Sequence, residues 1–393
     1  MANQTLTNAK KAKQDEFYTR WEEIEQEVSA YIEYDKNVFK NKTILLPADD
    51  PFESNFFKYF AVHFNDFGLK ELIATSYDSS PIVNTQLSLF DDISNVTNRA
   101  SKAYKIELTH VEDFDHDGRF NIEDVEKMLN VEKFKLNNGN KSNILSYLKG
   151  DEKPDGITRF VPGDFRSKEV TKLKNKADIV ITNPPFSLFR EFIKWIDPSN
   201  RKFLVIGSFN AVTYKEIFPL LKKNIIWLGV PFKSGNAYFN LPKSADVSEY
   251  AKGVYNPTNH TVKFRNVSWF TNLDHGRRHQ PLSLMSMSDN IKFSKHKQIK
   301  NNHYEKYDNY DAIEVPYTDS IPSDYDGIMG VPISFLDKYD PSQFKIIGLA
   351  AGNSRKTGLY GDIKYKPSKV DRGGCGVVNG KRKYARILIK RIK

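Results

Sequence analysis

Asn183-Pro184-Pro185-Phe186 carries the sharpest chemistry in this 393-residue chain. The Asn side-chain oxygen can accept a hydrogen bond from an exocyclic amino group. The X-Pro bond that follows fixes an extended turn and exposes a carbonyl with no competing N–H. A second acceptor then points at the same nitrogen, and Phe186 offers a ring face for a planar group to stack on. Two acceptors and a ring face suit a planar amine, such as the N6 amino group of adenine. The plainer reading is a turn braced by two prolines beside a core Phe, and the flanking sequence weighs against it.

The apolar run at 177–182 reads as a buried parallel strand, and 187–196 reads as an amphipathic helix. Leu188 and Phe192, and Phe189, Ile193 and Ile196, share its apolar face. The tetrapeptide therefore sits at the carboxyl end of a strand, where open α/β sheets hold their ligands. Further strands are expected at Thr43–Leu46, 69–75, 103–111, 159–161, 202–207, 225–230 and Val267–Thr271. Helices are expected at 15–34, 54–67, Lys168–Lys176 and 214–223. Strands alternating with helices imply an α/β fold with a mostly parallel sheet and helices on both faces. Residues 1–13 form a polar lead and 14–271 the main domain, with an insertion at about 112–155. From about 272 turn residues become dense, which marks a second region over 272–393.

Acids recur at the predicted strand ends: Asp49 and Asp50 after the first strand, Asp78 after the second, and Asp164 after a later one. In a doubly wound sheet these ends line one crevice. Asp78 is placed to bind ribose hydroxyls. Asp164 is placed to accept from a cofactor's adenine amino group, with Phe165 packed on its ring. Asp178 precedes its strand and belongs to the opposite side. No Gly-rich phosphate loop follows the first strand, so a nucleoside cofactor without a pyrophosphate fits better than a dinucleotide or ATP.

With these residues in place, the chain resembles the S-adenosylmethionine-dependent DNA adenine-N6 methyltransferases, most closely the EcoRI-type modification methylases. The resemblance rests on Asp15-Glu16-Phe17-Tyr18-Thr19, on Asp49-Asp50-Pro51-Phe52-Glu53-Ser54-Asn55 continuing to Phe60, and on Gly163-Asp164-Phe165-Arg166-Ser167. It rests also on Asn183 to Arg190, Trp269 to His275 and Tyr325 to Pro332. It implies a Rossmann-like methyltransferase fold followed by a C-terminal target-recognition region. It implies that Asn183 and Pro184 hold the target N6, that Pro185 shapes the turn, and that Phe186 stacks on the flipped adenine. It implies that Phe17, Tyr18, Thr19, Asp49, Asp50, Asp78, Asp164 and Phe165 surround S-adenosylmethionine. The partner would be double-stranded DNA, with a cognate restriction endonuclease acting on the same site. Most adenine methylases carry a glycine turn after the first strand, whereas this chain has Asp49-Asp50-Pro51, which leaves open which aspartate touches the cofactor. A duplex base is inaccessible, so the adenine must be flipped, and positioning supplies most of the rate of a direct methyl transfer. Methylation of a protein glutamine amide, and DNA binding without catalysis, are the rival readings.

The charge balance, 59 − 49 = +10, is basic and concentrated in the C-terminal half. Lys381, Arg382, Lys383, Arg386, Lys390, Arg391 and Lys393 follow one another without an acid. That run suits a polyanion, or else guards the edge of a terminal strand. A lone Cys375, no apolar stretch of membrane-spanning length and a polar N-terminus suggest a reducing, cytoplasmic setting without a membrane partner.

Asp113, Asp115, Asp117, Gly118 and Asp124 match the spacing of a calcium loop, which would clamp the insertion rather than catalyse. The competing reading is an Asx-turn loop without metal. His275 and His279 lie four apart but lack the acid or Cys partners of a zinc site, so surface or phosphate-contacting roles are expected. Trp269 and Phe270 are expected in the core.

Overall fold

The computed structural model describes residues 18–77, 103–114, 116–118, 120–152, 158–232, 235–241, 247–248, 250 and 253–392. Phe17, Asp78 and Asp115 lie outside them. The chain forms two compact units, one running to Ser208 and resuming over Pro231–Leu273, the other made of Phe209–Val230 and Asp274–Lys393.

The first unit opens with β1 (Tyr18–Thr19) and α1 (Trp21–Tyr34), followed by β2 (Thr43–Leu46), α2 (Asn55–Val62) and β3 (Glu71–Thr75). After β4 (Tyr104–Leu108) come α3 (Ile122–Asn137), β5 (Leu145–Tyr147), α4 (Lys168–Lys176), β6 (Ile179–Thr182), α5 (Phe189–Ile196) and β7 (Lys202–Ser208). The chain re-enters through β8 (Asn236–Asn240), β9 (Tyr255–Asn256), β10 (Thr261–Arg265) and β11 (Val267–Thr271). Within this unit the main sheet runs β11-β7-β6-β2-β3-β4-β5. Its centre, β7-β6-β2-β3, is parallel. Strands β4, β5 and β11 pair antiparallel, so the sheet is mixed rather than mostly parallel.

Burial explains the composition of the centre. All of Thr43–Leu46 and Ile179–Thr182 is buried, and a strand covered on both faces has no polar face to alternate with. Trp269 and Phe270 are core, as expected. Trp269 meets Phe56 edge-on at 6.0 Å and stacks on Phe232 at 5.6 Å. The segment read as an insertion supplies α3 and the β5 strand that extends the sheet. A smaller sheet, β1-β8-β10-β9, ties Tyr18–Thr19 to Asn236–Asn240.

The second unit contains α6 (Phe218–Lys222), α7 (Met287–Phe293), β12 (Ile313–Glu314), β13 (Met329–Pro332) and β14 (Phe344–Ala350). It ends with β15 (Val377–Val378), β16 (Lys381–Arg382) and β17 (Arg386–Arg391). Its larger sheet runs β12-β13-β17-β14. The terminal basic strand is therefore interior, flanked by β13 and β14, and guards no edge. Arg386 lies against Glu314 with contacts of 2.6 and 3.0 Å. A half-buried guanidinium there is held by that carboxylate. The strand expected at 225–230 contracts to Trp227–Leu228. Among the described residues no helix is long and apolar enough to cross a membrane.

Candidate active site

Strands β2 and β6 are parallel neighbours, so the segments after them emerge on the same edge of the sheet. The Thr182 hydroxyl, the last group before the tetrapeptide, donates to the Pro47 carbonyl at 3.0 Å. It ties the approach to Asn183 to the approach to Asp49. Pro184 is buried, while Asn183, Pro185 and Phe186 are half-buried. The Leu188 amide donates to the Pro185 carbonyl at 2.9 Å and closes a turn of 3-10 helix over Phe186–Leu188. Phe186 rests on the core of this unit. Below it, Phe189 packs on β7 at Gly207, where a Cβ would lie 2.4 Å from the Phe189 ring. That contact seats α5 directly behind the tetrapeptide.

The turn after β2 is built from backbone. Ala48 adopts φ +55, a left-handed conformation usually left to glycine. It is held there by the β3 end: the Ala48 amide donates to Thr75 Oγ1 at 3.1 Å and the Asp49 amide to the Thr75 carbonyl at 2.8 Å. The chain thus makes the glycine-type turn without a glycine.

The two aspartates then diverge. Asp50 accepts from the Tyr104 hydroxyl at 2.6 Å and from the Phe52 amide at 3.0 Å. Asp49 accepts from the Ser54 hydroxyl at 2.6 Å on one oxygen. Its other oxygen is buried with no hydrogen-bond partner among the described residues. Burial pushes the Asp49 carboxyl up to about 8; the Ser54 hydrogen bond and the nearby Phe57 amide, which forms no full hydrogen bond to the second oxygen, oppose this, and the Asp50 charge adds to it. Ser54 also caps α2, accepting from the Phe56 amide at 3.0 Å. Asn55 donates from its side chain to the Thr19 carbonyl at 2.8 Å. Thr19 is thereby brought to the same helix start, and its hydroxyl is a second buried oxygen without a partner among the described residues. Two orphaned polar atoms, both in sequence-predicted cofactor positions, are what a polar ligand would satisfy.

Gly163 lets the next loop approach. It sits at φ +84, and a Cβ there would fall 2.0 Å from the Ser76 carbonyl oxygen. Asp164 beside it is buried and salt-bridged to Arg166 at 2.8 Å, and Arg166 reaches on to Glu191 at 3.0 Å. Phe165 is buried with its ring edge-on to Phe192 and Trp195, at 5.0 and 5.4 Å. Asp178 accepts from the Thr43 amide at 2.8 Å, at the opposite edge of the strands as expected.

Supporting residues that the sequence reading passed over are Ser54, Tyr104 and Lys133. Lys133 of α3 lies 4.5 Å from the centre of the Phe52 ring. Ser54 stands at a helix N-cap, a legible signal. Nothing in a single sequence links Tyr104 to Asp50.

The calcium expectation finds no support among the described residues. Asp124 accepts from the Phe114 amide at 2.9 Å with one oxygen and from the Asn121 amide at 2.8 Å with the other. Asn121 returns the bond to α3, which makes a capping box. Asp113 accepts from the Gly118 amide at 2.7 Å. Asp113 and Asp124 thus belong to an Asx-type loop and a helix start. Among the described residues no three His, Cys, Asp or Glu side chains converge on a metal position. In the second unit His275 is buried with Nε2 3.1 Å from the Leu228 carbonyl oxygen, while His279 lies 2.9 Å from Asp274. The two rings serve different partners.

Comparison with known proteins adds an independent finding. The family described as adenine-specific methyltransferase EcoRI matches residues 5–392. The chain is 36% identical over 388 residues to the type II methyltransferase M.EcoRI of Escherichia coli, covering 99% of this chain and 96% of that protein. It is 33% identical to the type II methyltransferase M.MgeORF184P of Mycoplasma genitalium, covering 98% of each. It is 30% identical to the type II methyltransferase M.MpnI of Mycoplasma pneumoniae, covering 98% of this chain and 97% of that protein. No solved structure matches the chain.

Proposed function

The chain belongs to the EcoRI family of adenine-specific methyltransferases, and we propose that it moves a methyl group from S-adenosylmethionine to N6 of an adenine flipped out of duplex DNA. The observation that carries this reading is the pairing of two strand ends. Asn183-Pro184-Pro185-Phe186 follows β6, and an aspartate with a bare, buried oxygen follows the adjacent β2.

In this reading Asn183 Oδ1 and the Pro184 carbonyl accept the N6 hydrogens. They favour pyramidal geometry and added electron density on a nitrogen whose lone pair is otherwise delocalised into the ring. Phe186 stacks on the base and Pro185 shapes the turn. Thr19 and Asp49 hold the cofactor through their unsatisfied oxygens, with Phe17, Tyr18, Asp50, Asp78, Asp164 and Phe165 around them. When bound, the cofactor supplies an electron-poor methyl group. The chain's task is to position the acceptor nitrogen, and no side chain need become covalently attached. Extruding the base costs unstacking, which contacts to the displaced strand and its phosphates offset. The relatives' description as type II methyltransferases supports a modification enzyme working beside a restriction endonuclease of the same specificity.

Incubation with duplex DNA and methyl-labelled S-adenosylmethionine should yield N6-methyladenine, and Asn183→Ala should slow its formation by about a hundredfold or more. Label on protein glutamine instead of DNA, or no product from the wild type, would overturn the reading.

A further inference from the structure

The second unit treats its arginines in two ways. Arg278 is engaged within the fold: it contacts Asp274 at 3.0 Å, donates to Asn224 at 2.6 Å and lies 3.5 Å over the Trp227 ring. Arg386 is engaged by Glu314. Arg372 and Arg382 are not engaged in this way. Both are exposed, and neither makes an ion pair or a side-chain hydrogen bond among the described residues. The same holds for Lys381, which precedes Arg382 on β16.

Lys381 and Arg382 are mounted on a stiff hairpin. Strands β15 and β16 pair Val377 with Arg382 and Val378 with Lys381. Asn379 and Gly380 make a two-residue turn with φ +51 and +69, the geometry favoured where a hairpin must match strand twist. Asp308 pins that turn by accepting both of its amides, at 3.2 and 2.8 Å. The buried Asn309 side chain braces the base, donating to the Cys375 carbonyl at 2.9 Å and accepting from the Val377 amide at 2.9 Å. Val377 and Val378 are buried, so the root of the hairpin is anchored while its tip is wet. Burial raises the Cys375 thiol, and the Arg382 and Arg372 charges oppose that shift. Just past the hairpin stands Tyr384, 88% exposed.

A rigid two-residue turn held by a carboxylate serves no visible purpose in packing, since its side chains touch solvent. It does serve to hold Lys381 and Arg382 at a fixed spacing, with an exposed aromatic side chain just past them in the chain. Cations of this kind need break no ion pair to meet a polyanion, and a fixed spacing lowers the entropy given up when they do so. We propose that the hairpin carrying Lys381 and Arg382, with the exposed Tyr384 just past it, grips the phosphate backbone of duplex DNA. The proposal rests on the DNA-methylating activity above and names a surface through which the second unit takes hold of that substrate.

The test is a salt titration of duplex DNA binding by the full-length protein, wild type against Lys381→Ala/Arg382→Ala. Removing one phosphate-neutralising cation should flatten the plot of log affinity against log salt by about 0.9. The double variant should thus reduce the slope by roughly two and bind tens of fold more weakly at ~0.1 M salt. Its affinity for S-adenosylmethionine and its thermal midpoint should stay at wild-type values. The charge-keeping pair Lys381→Arg/Arg382→Lys should restore most of the binding, which a merely structural role would not require. Unchanged slope and affinity in the double alanine variant, with wild type methylating normally, overturns the hairpin assignment alone. Failure of the wild type to bind or methylate DNA overturns the functional reading beneath it.

Discussion

Tyr104 donates its hydroxyl to Asp50 at 2.6 Å, while the adjacent Asp49 keeps a buried oxygen with no donor among the described residues. Consecutive acids in one turn are thus divided between holding the fold and awaiting a ligand. Asp49→Ala should weaken S-adenosylmethionine binding by tenfold or more in calorimetry, with DNA binding retained. Asp50→Asn should act first on stability, costing about 1–3 kcal/mol in denaturant unfolding because the Tyr104 hydroxyl loses its charged acceptor. If Asp50→Asn alone abolished cofactor binding in a fully folded protein, the division would be reversed.

The acidity of Asp49 sets a pH dependence. Burial pushes its carboxyl up to about 8, so between about pH 4 and 8 the fold holds a proton that the unfolded chain releases. Stability of the ligand-free protein should therefore fall as pH rises through that window. A ligand that offers hydroxyl or ammonium donors prefers the carboxylate, so cofactor binding should release a proton and tighten with pH over the same range. Calorimetry in buffers of different ionisation enthalpy reads that proton. Asp49→Asn should flatten both slopes, and slopes that persist in it would assign them to another group.

Substitutions in the tetrapeptide separate chemistry from binding. Asn183→Ala should lower kcat by about 10²–10³ or more, the scale for removing one preorganised polar contact to the reacting group. Cofactor and DNA affinity should change little. Phe186→Ala should cost less, and Phe186→Trp should recover part of the loss because a ring face is restored. Single-turnover rates, which exclude product release, are the measurement. A loss confined to KM in Asn183→Ala would move that residue from the reacting nitrogen to substrate capture.

The close approach at Gly163 constrains its loop. An alanine there combines a left-handed φ with a Cβ 2.0 Å from a backbone oxygen. Gly163→Ala should destabilise the protein by about 2 kcal/mol or more, with an accompanying rise in KM for the cofactor as the Ser76–Tyr77 backbone is displaced. A neutral melting curve would mean that the loop can withdraw without loss.

The parallel centre of the first unit was legible because Thr43–Leu46 and Ile179–Thr182 are buried on both faces and read as unbroken apolar runs. The strand-helix frame of Asn183–Phe186 was legible because an apolar run precedes it and an amphipathic helix follows it. The flanking strands at Tyr104–Leu108 and Val267–Thr271 were also expected, but their antiparallel pairing was not. Tyr104–Leu108 and Leu145–Tyr147 are short, and their pairing depends on partners that no local pattern names. Tyr18–Thr19 falls inside a sequence-predicted helix, yet it pairs with Asn236–Asn240, a contact fixed only by the finished fold. The Asp113–Asp124 spacing misled because a capping box and a calcium loop draw on the same residue types: Asn121 and Asp124 satisfy backbone amides at a helix start. The interior place of Arg386–Arg391 was hidden for a similar reason, since the paired and the unpaired basic residues of that run look alike until Glu314 is found opposite Arg386.

The chain passes from one unit to the other after Ser208, back after Val230 and across again after Leu273. Neither unit can be lifted out with a single pair of cuts that leaves the other whole. A ribosome completes β11 of the first sheet only after it has already emitted the 209–230 piece of its neighbour, so that piece must wait, without most of its companions, until residues beyond Asp274 arrive. Exchange of the second unit between relatives by one recombination event would leave 209–230 behind with the wrong companions. Exchange of the whole second unit would need three matched crossovers, one at each passage of the chain, and the interleaving is in that sense a lock against casual change.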